Sequence, residues 1–254
     1  MSRLRPIDLH AHVSPEIGTA DLVGLGALVF AVTRSIDEAE AALDRRDEWT
    51  VWGAGCHPGL VSAQQTFDVD RFEALLERTP FVSEIGLDGS SRVPMPLQRQ
   101  RLGEILAVLQ TSPRIASIHS YRATAEVLTE LEARPISGAI LHWWLGDQAQ
   151  TARALGLGCY FSVNTSSLKH RDLLGIIPIE RIFSETDHPF GDRYRKGVRR
   201  PGAVEDVELA IAACHGISQE AVRQRLWRNL ANLVSQTGTA RQFSRTLRAN
   251  LASV

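Results

Sequence analysis

The sequence predicts an α/β fold, a (β/α)₈ TIM barrel, on three observations. Its 254 residues match the roughly 250 of one such barrel. Short apolar runs recur at intervals of about 20 to 40 residues, alternating with amphipathic stretches. The runs are continuous and rich in β-branched or aromatic residues, as in parallel strands buried on both faces. Two Rossmann-like halves are the competing architecture, but no GxGxxG loop follows the first strand.

Eight strands are read in order: Ile7–His12, Ala27–Thr33, Val51–His57, Phe81–Leu87, Ile115–Ser120, Gly138–Trp143, Cys159–Asn164 and Ile182–Asp187. Helices are expected between them over Ile36–Glu48, Asp70–Arg78, Leu97–Gln110, Ala123–Arg134 and Gln148–Leu155. Three more should follow the eighth strand, near Val204–Cys214, Ser218–Val234 and Thr239–Leu251. The chain therefore reads as one barrel domain over residues 1–254, with a C-terminal helical extension at about 239–252.

Composition narrows the function classes. The net charge of −1 excludes a general polycation, so nucleic-acid binding would need a local basic patch. Cys56, Cys159 and Cys214 are sparse and odd in number, which argues against a disulfide framework and for a reducing cytoplasm. Met1–Pro6 runs into a polar strand without an apolar leader, and no segment is apolar enough to span a bilayer. A cytoplasmic protein with no membrane partner is expected.

The chemistry gathers at the C-terminal ends of the strands, where barrels of this type place their active sites. Strand 1 ends Asp8-Leu9-His10-Ala11-His12, strand 3 Cys56-His57-Pro58, and strand 4 carries Ser83-Glu84-Ile85-Gly86. Strands 5, 6 and 8 end Ile118-His119-Ser120, Leu141-His142-Trp143 and Glu185-Thr186-Asp187. Strand alternation puts His10 and His12 on one face, about 6.5 Å apart, a spacing that can grip one cation. Glu84 and Asp187 add hard oxygen donors. His119 and His142 can grip a second cation, with Glu84 bridging the two. Mixed nitrogen and oxygen ligation suits two divalent ions such as Zn²⁺, Mn²⁺ or Mg²⁺.

Each residue also has a plainer reading. A lone strand-end histidine is commonly a hydrogen-bonded core residue, Glu84 could be an ion-pair partner, and Asp187 a helix cap. Four histidines and two carboxylates converging on one barrel mouth would be costly to bury without a cation, and the set favours metal. Cys56 beside His57 is not read as a catalytic pair, because adjacent strand residues face opposite ways. Trp143 and Trp144 are candidates for base stacking, but one of two adjacent strand residues is usually core.

In their order, the six motifs resemble those of the TatD-like metal-dependent hydrolases, up to about Pro189. Asp8-Leu9-His10-Ala11-His12 is similar to the family's DxHxH, and Gly55-Cys56-His57-Pro58 to its GxHP. Glu84-Ile85-Gly86-Leu87-Asp88 matches EIGLD, Ile118-His119-Ser120 resembles IHS, Leu141-His142 LH, and Glu185-Thr186-Asp187 ETD. The resemblance implies a barrel deoxyribonuclease or phosphodiesterase acting on nucleic acid, single-stranded DNA or DNA ends. It assigns His10, His12, Glu84 and Asp187 to one metal and Glu84, His119 and His142 to the other, as the strand positions suggest. His57 would face the substrate phosphate. The chain also resembles the TatD-like member of the Qat anti-phage system.

Four positions depart from the family pattern. Ser83 stands in place of Gly, Tyr121 in place of Arg with Arg122 next to it, Trp143-Trp144-Leu145-Gly146 in place of CFSG, and His188 in place of a small residue. The ligands survive while the pocket lining differs.

Hydrolysis would use a metal-activated water, since a divalent ion lowers the pKa of bound water from roughly 15.7 to about 7. Asp187 would serve as ligand and general base, Glu84 as bridge, and His57 as a contact to phosphate. Arg122 and the basic run Arg193, Arg195, Lys196, Arg199 and Arg200 after strand 8 would bind substrate; the plainer reading of that run is a solvated loop. An amide, ester or lactone hydrolase on the same barrel is the alternative enzyme, although Glu84 stands where such relatives often carry a modified Lys. A metal-holding scaffold docking through Arg241, Arg245 and Arg248 is the non-enzymatic alternative.

Overall fold

A computed structural model describes residues 4–254; Met1 to Arg3, the start of the stretch read as lacking a leader, lie outside the described residues. Eight parallel strands run in order: β1 Ile7–His12, β2 Leu28–Val32, β3 Thr50–Trp52, β4 Phe81–Gly86, β5 Ile115–His119, β6 Ala139–Leu141, β7 Tyr160–Val163 and β8 Ile182–Ser184. They pair in sequence order as β1-β2-β3 and β4-β5-β6-β7-β8. Two seams join these sheets. At one, Ala54 bridges to Val82 and the Cys56 amide donates to the Glu84 carbonyl at 3.0 Å. At the other, the Asp187 amide donates to the His10 carbonyl at 2.8 Å, and His12 to that of His188 at 3.0 Å. The barrel thus closes through residues adjoining the candidate ligands.

Around the strands lie α1 Thr19–Gly24, α2 Ile36–Leu43, α3 Val61–Gln65, α4 Val69–Leu76, α5 Met95–Thr111, α6 Thr124–Ala133 and α7 Gln148–Gly156, then α8 Arg171–Ile176, α9 Glu205–His215, α10 Gln219–Thr237 and α11 Arg245–Leu251. Local chemistry starts several of them. Ser35, Asp68 and Ser218 accept the amides of Glu38, Arg71 and Ala221, and Asp147 forms a reciprocal capping box with Gln150. The interior is filled by strand residues such as Leu9, Phe30, Phe81, Ile85, Phe161 and Phe183, all fully buried.

Several boundaries differ from the sequence reading. Strand 3 ends at Trp52, not His57, because the chain there leaves β2 and bonds to β4. Gly55 makes this crossing fit: a Cβ on it would stand 2.0 Å from the Thr33 carbonyl and 2.3 Å from that of Ser83. The helix expected to reach Glu48 stops at Leu43. Arg45 holds the turn beyond it, donating to Asp47 and to the carbonyls of Pro15 and Ile17. The helix expected over Thr239–Leu251 is broken: a 3₁₀ turn spans Ala240–Gln242 and α11 starts at Arg245. Between them Phe243 is extended and buried, its ring 6.5 Å from that of Phe30. The short α1, α3 and α8 are additions to the expected helices.

Candidate metal centre

Strand alternation delivers the ligands as expected of β1. His10 is fully buried; its Nδ1 lies 2.7 Å from the Ser117 hydroxyl on β5, which leaves Nε2 facing the barrel mouth. Nε2 stands 3.7 Å from Glu84 Oε2 and 3.6 Å from Asp187 Oδ1. His12 Nε2, two residues on, is 3.6 Å and 3.3 Å from the same two oxygens.

The other Glu84 oxygen faces a different pair. Oε1 lies 2.6 Å from His119 Nδ1 and 3.0 Å from His142 Nε2, and those nitrogens are 3.2 Å apart. Gly86 lets β4 and β5 approach closely here: its φ is 135°, and a Cβ would sit 2.1 Å from the His119 carbonyl oxygen. The six residues expected as ligands are thus brought together, in two groups that share Glu84.

Asp187 reaches the cluster through its backbone. β8 ends at Ser184, and the next three residues turn toward β1. Asp187 takes a left-handed conformation, φ 41°, as does Trp143 beside His142, φ 43°. Such backbone costs of order 1–3 kcal/mol per residue and persists where the surroundings enforce it, often at functional sites.

His57 stands at the edge of the cluster, Nε2 3.3 Å from Glu84 Oε2. Its Nδ1 accepts the Gly59 amide at 2.8 Å, so the ring proton resides on Nε2. His57 is therefore set as a donor aimed into the site. Cys56 points away, its thiol donating to the Ala63 carbonyl.

Electrostatics follow from this crowding. Burial and the neighbouring His142 hold His10 well below its ordinary value, which keeps it neutral. Burial pushes the Glu84 carboxyl up, but His57, His119 and their hydrogen-bonding neighbour His142 pull it well below the usual carboxylate range. Burial raises Asp187.

A divalent cation fits this arrangement. His10 Nε2 and Glu84 Oε2 are buried and have no hydrogen-bond partner. Among the described residues, the donor atoms of His10, His12 and Asp187 lie within 4.8 Å of one another, and Glu84 Oε1 meets His119 and His142 at 2.6 and 3.0 Å. Imidazole nitrogens set beside carboxylate oxygens are the ligand chemistry of Zn²⁺ or Mn²⁺.

Residues behind the ligands were missed by the sequence reading. Glu185, fully buried, accepts the Trp143 amide at 2.9 Å and the Asn164 amide group at 3.0 Å, and takes the Ser162 hydroxyl. It also lies 3.9 Å from His142 Nδ1. Asp88 Oδ2 is 3.6 Å from His119 Nε2. Asp8 accepts the Thr186 amide and hydroxyl and the Gly202 amide, and burial raises its carboxyl to about 7. The available signal for Glu185 was its place in the Glu185-Thr186-Asp187 motif.

The substrate candidates are more dispersed. Arg122 is exposed, its guanidinium 5.4 Å from the Tyr121 ring. Arg195 is engaged within its own loop, by the Val198 and Ala203 carbonyls and by Glu205 at 2.9 Å. Arg199 pairs with buried Asp192 at 2.8 Å, whose other oxygen lies 2.7 Å from His188 Nδ1. Arg193 and Arg200 are exposed and, among the described residues, donate only to the carbonyls of Phe190 and Gly24. Of the two tryptophans, Trp144 is fully buried, its indole donating to Thr151, and Trp143 is half-buried at the mouth.

Known proteins are similar to this chain in sequence and in fold. The family described as TatD related DNase matches residues 7–235. The 3'-5' ssDNA/RNA exonuclease TatD of Cronobacter sakazakii is 27% identical over 187 residues, covering 68% of this chain and 71% of that protein. The uncharacterized metal-dependent hydrolase YcfH of Escherichia coli is 26% identical over 196 residues, covering 72% and 73%. The crystal structure of the TatD homolog YjjV from Escherichia coli superimposes with a TM-score of 0.79 at 20% identity, covering 90% of this chain and 97% of that one, which bears out the (β/α)₈ barrel. Because the family match spans residues 7–235 of the chain, this chain belongs to the TatD family of metal-dependent hydrolases.

Proposed function

We propose that the protein hydrolyses phosphodiester bonds in single-stranded nucleic acid, working inward from a 3' end with two divalent ions. The observation that carries this reading is the placement of Glu84, whose two oxygens face separate groups of donors. His10, His12, Glu84 and Asp187 would hold one ion, and Glu84, His119 and His142 the other. Mn²⁺, Zn²⁺ and Mg²⁺ are the candidates. The names of the TatD relatives support the choice of substrate and end.

Bound divalent ions supply positive charge at the scissile phosphate and acidify water there. The chain's own residues do the rest. Asp187, a member of the first group, would accept the proton of the attacking water on its carboxylate. His57 donates its Nε2 proton to a non-bridging phosphate oxygen, a hydrogen bond that strengthens as charge builds on phosphorus. Glu185 and Asp88, behind His142 and His119, hold those rings in orientation, the usual work of carboxylates behind metal-binding histidines.

The experiment is a substrate panel: single- and double-stranded DNA, RNA, cyclic dinucleotides and lactones, each with Mg²⁺, Mn²⁺ or Zn²⁺. Shortening of single strands from the 3' end is the expected result. Turnover of lactones without turnover of any phosphodiester would overturn the reading.

A further inference from the structure

Sixteen aromatic side chains are distributed through the chain, and nearly all serve the core. Three are exposed among the described residues: Tyr121, Phe190 and Tyr194. All three lie on loops that follow strands at the barrel mouth, Tyr121 after β5 and the other two after β8. Isolated exposed apolar residues are ordinary on any protein surface. Confinement of every exposed aromatic ring to the end of the barrel that carries the metal centre is a different pattern.

Phe190 is the most telling of them. Its ring centroid is 5.4 Å from that of His12, at 86°, so it touches a candidate ligand directly. It nevertheless remains 48% exposed. Its backbone is fixed at both ends: the amide donates to the Asp187 carbonyl at 2.7 Å, and its own carbonyl accepts Arg193 Nε at 2.7 Å. Tyr194, 55% exposed, has the Lys169 ammonium 3.6 Å from its ring centre. The loop thus presents two aromatic rings interleaved with cations.

We infer that Phe190 is the stacking platform for the nucleobase of the terminal nucleotide, and Tyr194 a second ring farther along the strand. The inference rests on the proposed single-strand substrate. A phosphate held at the metal centre would place its nucleoside within reach of a ring packed on His12. Stacking needs only a π-face, so the platform would accept any base and would select single strands, whose bases are free to stack. Phe190 here acts in binding and register, not in proton transfer.

The test separates stacking from hydrolysis. Asp187→Asn protein with Mn²⁺ is titrated with 5'-fluorescein-labelled oligothymidylate whose 3'-terminal nucleotide carries or lacks its base. In that protein the base should tighten binding by roughly 5- to 150-fold, the range of base–aromatic stacking. Adding Phe190→Leu should bring the ratio close to one, and Phe190→Trp should restore it. An unchanged ratio with Phe190→Leu, or no effect of the base in the Asp187→Asn protein, would overturn the inference. Intact oligothymidylate incubated with the wild-type protein and Mn²⁺ reports separately on hydrolysis: failure to shorten it would remove the nuclease reading, while the affinity ratio would still decide whether Phe190 stacks a base.

Discussion

Asp187 and His10 meet twice: the Asp187 amide donates to the His10 carbonyl at 2.8 Å, and its Oδ1 stands 3.6 Å from His10 Nε2. The backbone contact closes the barrel between β8 and β1, and the side chains share one group of donors. Barrel closure and the site therefore share the same two residues on this side of the molecule. Asp187→Asn keeps the backbone bond and the shape but is a poorer ligand and no base. Turnover should fall by at least the roughly 10²–10⁴ attributed to a positioned base, with the melting temperature little changed. A variant keeping a tenth of the parental rate on oligonucleotides would show that Asp187 is not the base.

The basic loop after β8 divides by the partners of its side chains. Lys196 is exposed with no ion-pair partner among the described residues, and Arg200 reaches only the Gly24 carbonyl. Arg199, by contrast, pairs with buried Asp192. Lys196→Ala with Arg200→Ala should flatten the log–log salt dependence of single-strand affinity by about 0.7 for each phosphate no longer neutralised. Arg199→Ala should lower thermal stability, because it leaves Asp192 short of a partner. Parallel salt lines for the double variant and the parent would make the loop a solvated surface.

Burial pushes the thiols of Cys56 and Cys159 up to about 12 from an ordinary value near 9. At pH 8 both are therefore fully protonated and shielded. Neither should react with a disulfide reagent such as DTNB in the native protein, and both should react after unfolding in guanidinium. Peptide mapping that found Cys56 modified in the native state would contradict its orientation away from His57.

Glu208 on α9 and Arg223 on α10 form a buried ion pair, which Gln219 joins through Glu208. Removing one partner of such a pair costs about 3–5 kcal/mol, because the other is left buried and unpaired. Glu208→Ala should lower the unfolding midpoint accordingly without altering metal content. Superimposable denaturation curves would contradict a stabilising role.

The legible parts of the molecule were those with a period. Continuous apolar runs marked the eight strands, and alternation placed His10 with His12. What escaped lacked a period. Glu185 stands in a legible motif, but its role does not show there, since its partners, Trp143, Ser162 and Asn164, come from two other strand ends. The pairing of Arg195 with Glu205 and of Arg199 with Asp192 depends on how a loop folds back on itself, which charge counting does not reveal. The break at Phe243 is a tertiary override: its ring is drawn into the base of the barrel, so the helical pattern around it is interrupted.

Glu84 presents one oxygen to each group of donors, and the metal content of the Glu84→Ala protein measures what that position is worth. Wild-type protein dialysed against Mn²⁺ or Zn²⁺ should hold up to two ions per chain by elemental analysis. Glu84→Ala should lose occupancy at both positions, because each loses a carboxylate oxygen. Full occupancy of both positions in the variant would contradict the bridged two-ion centre.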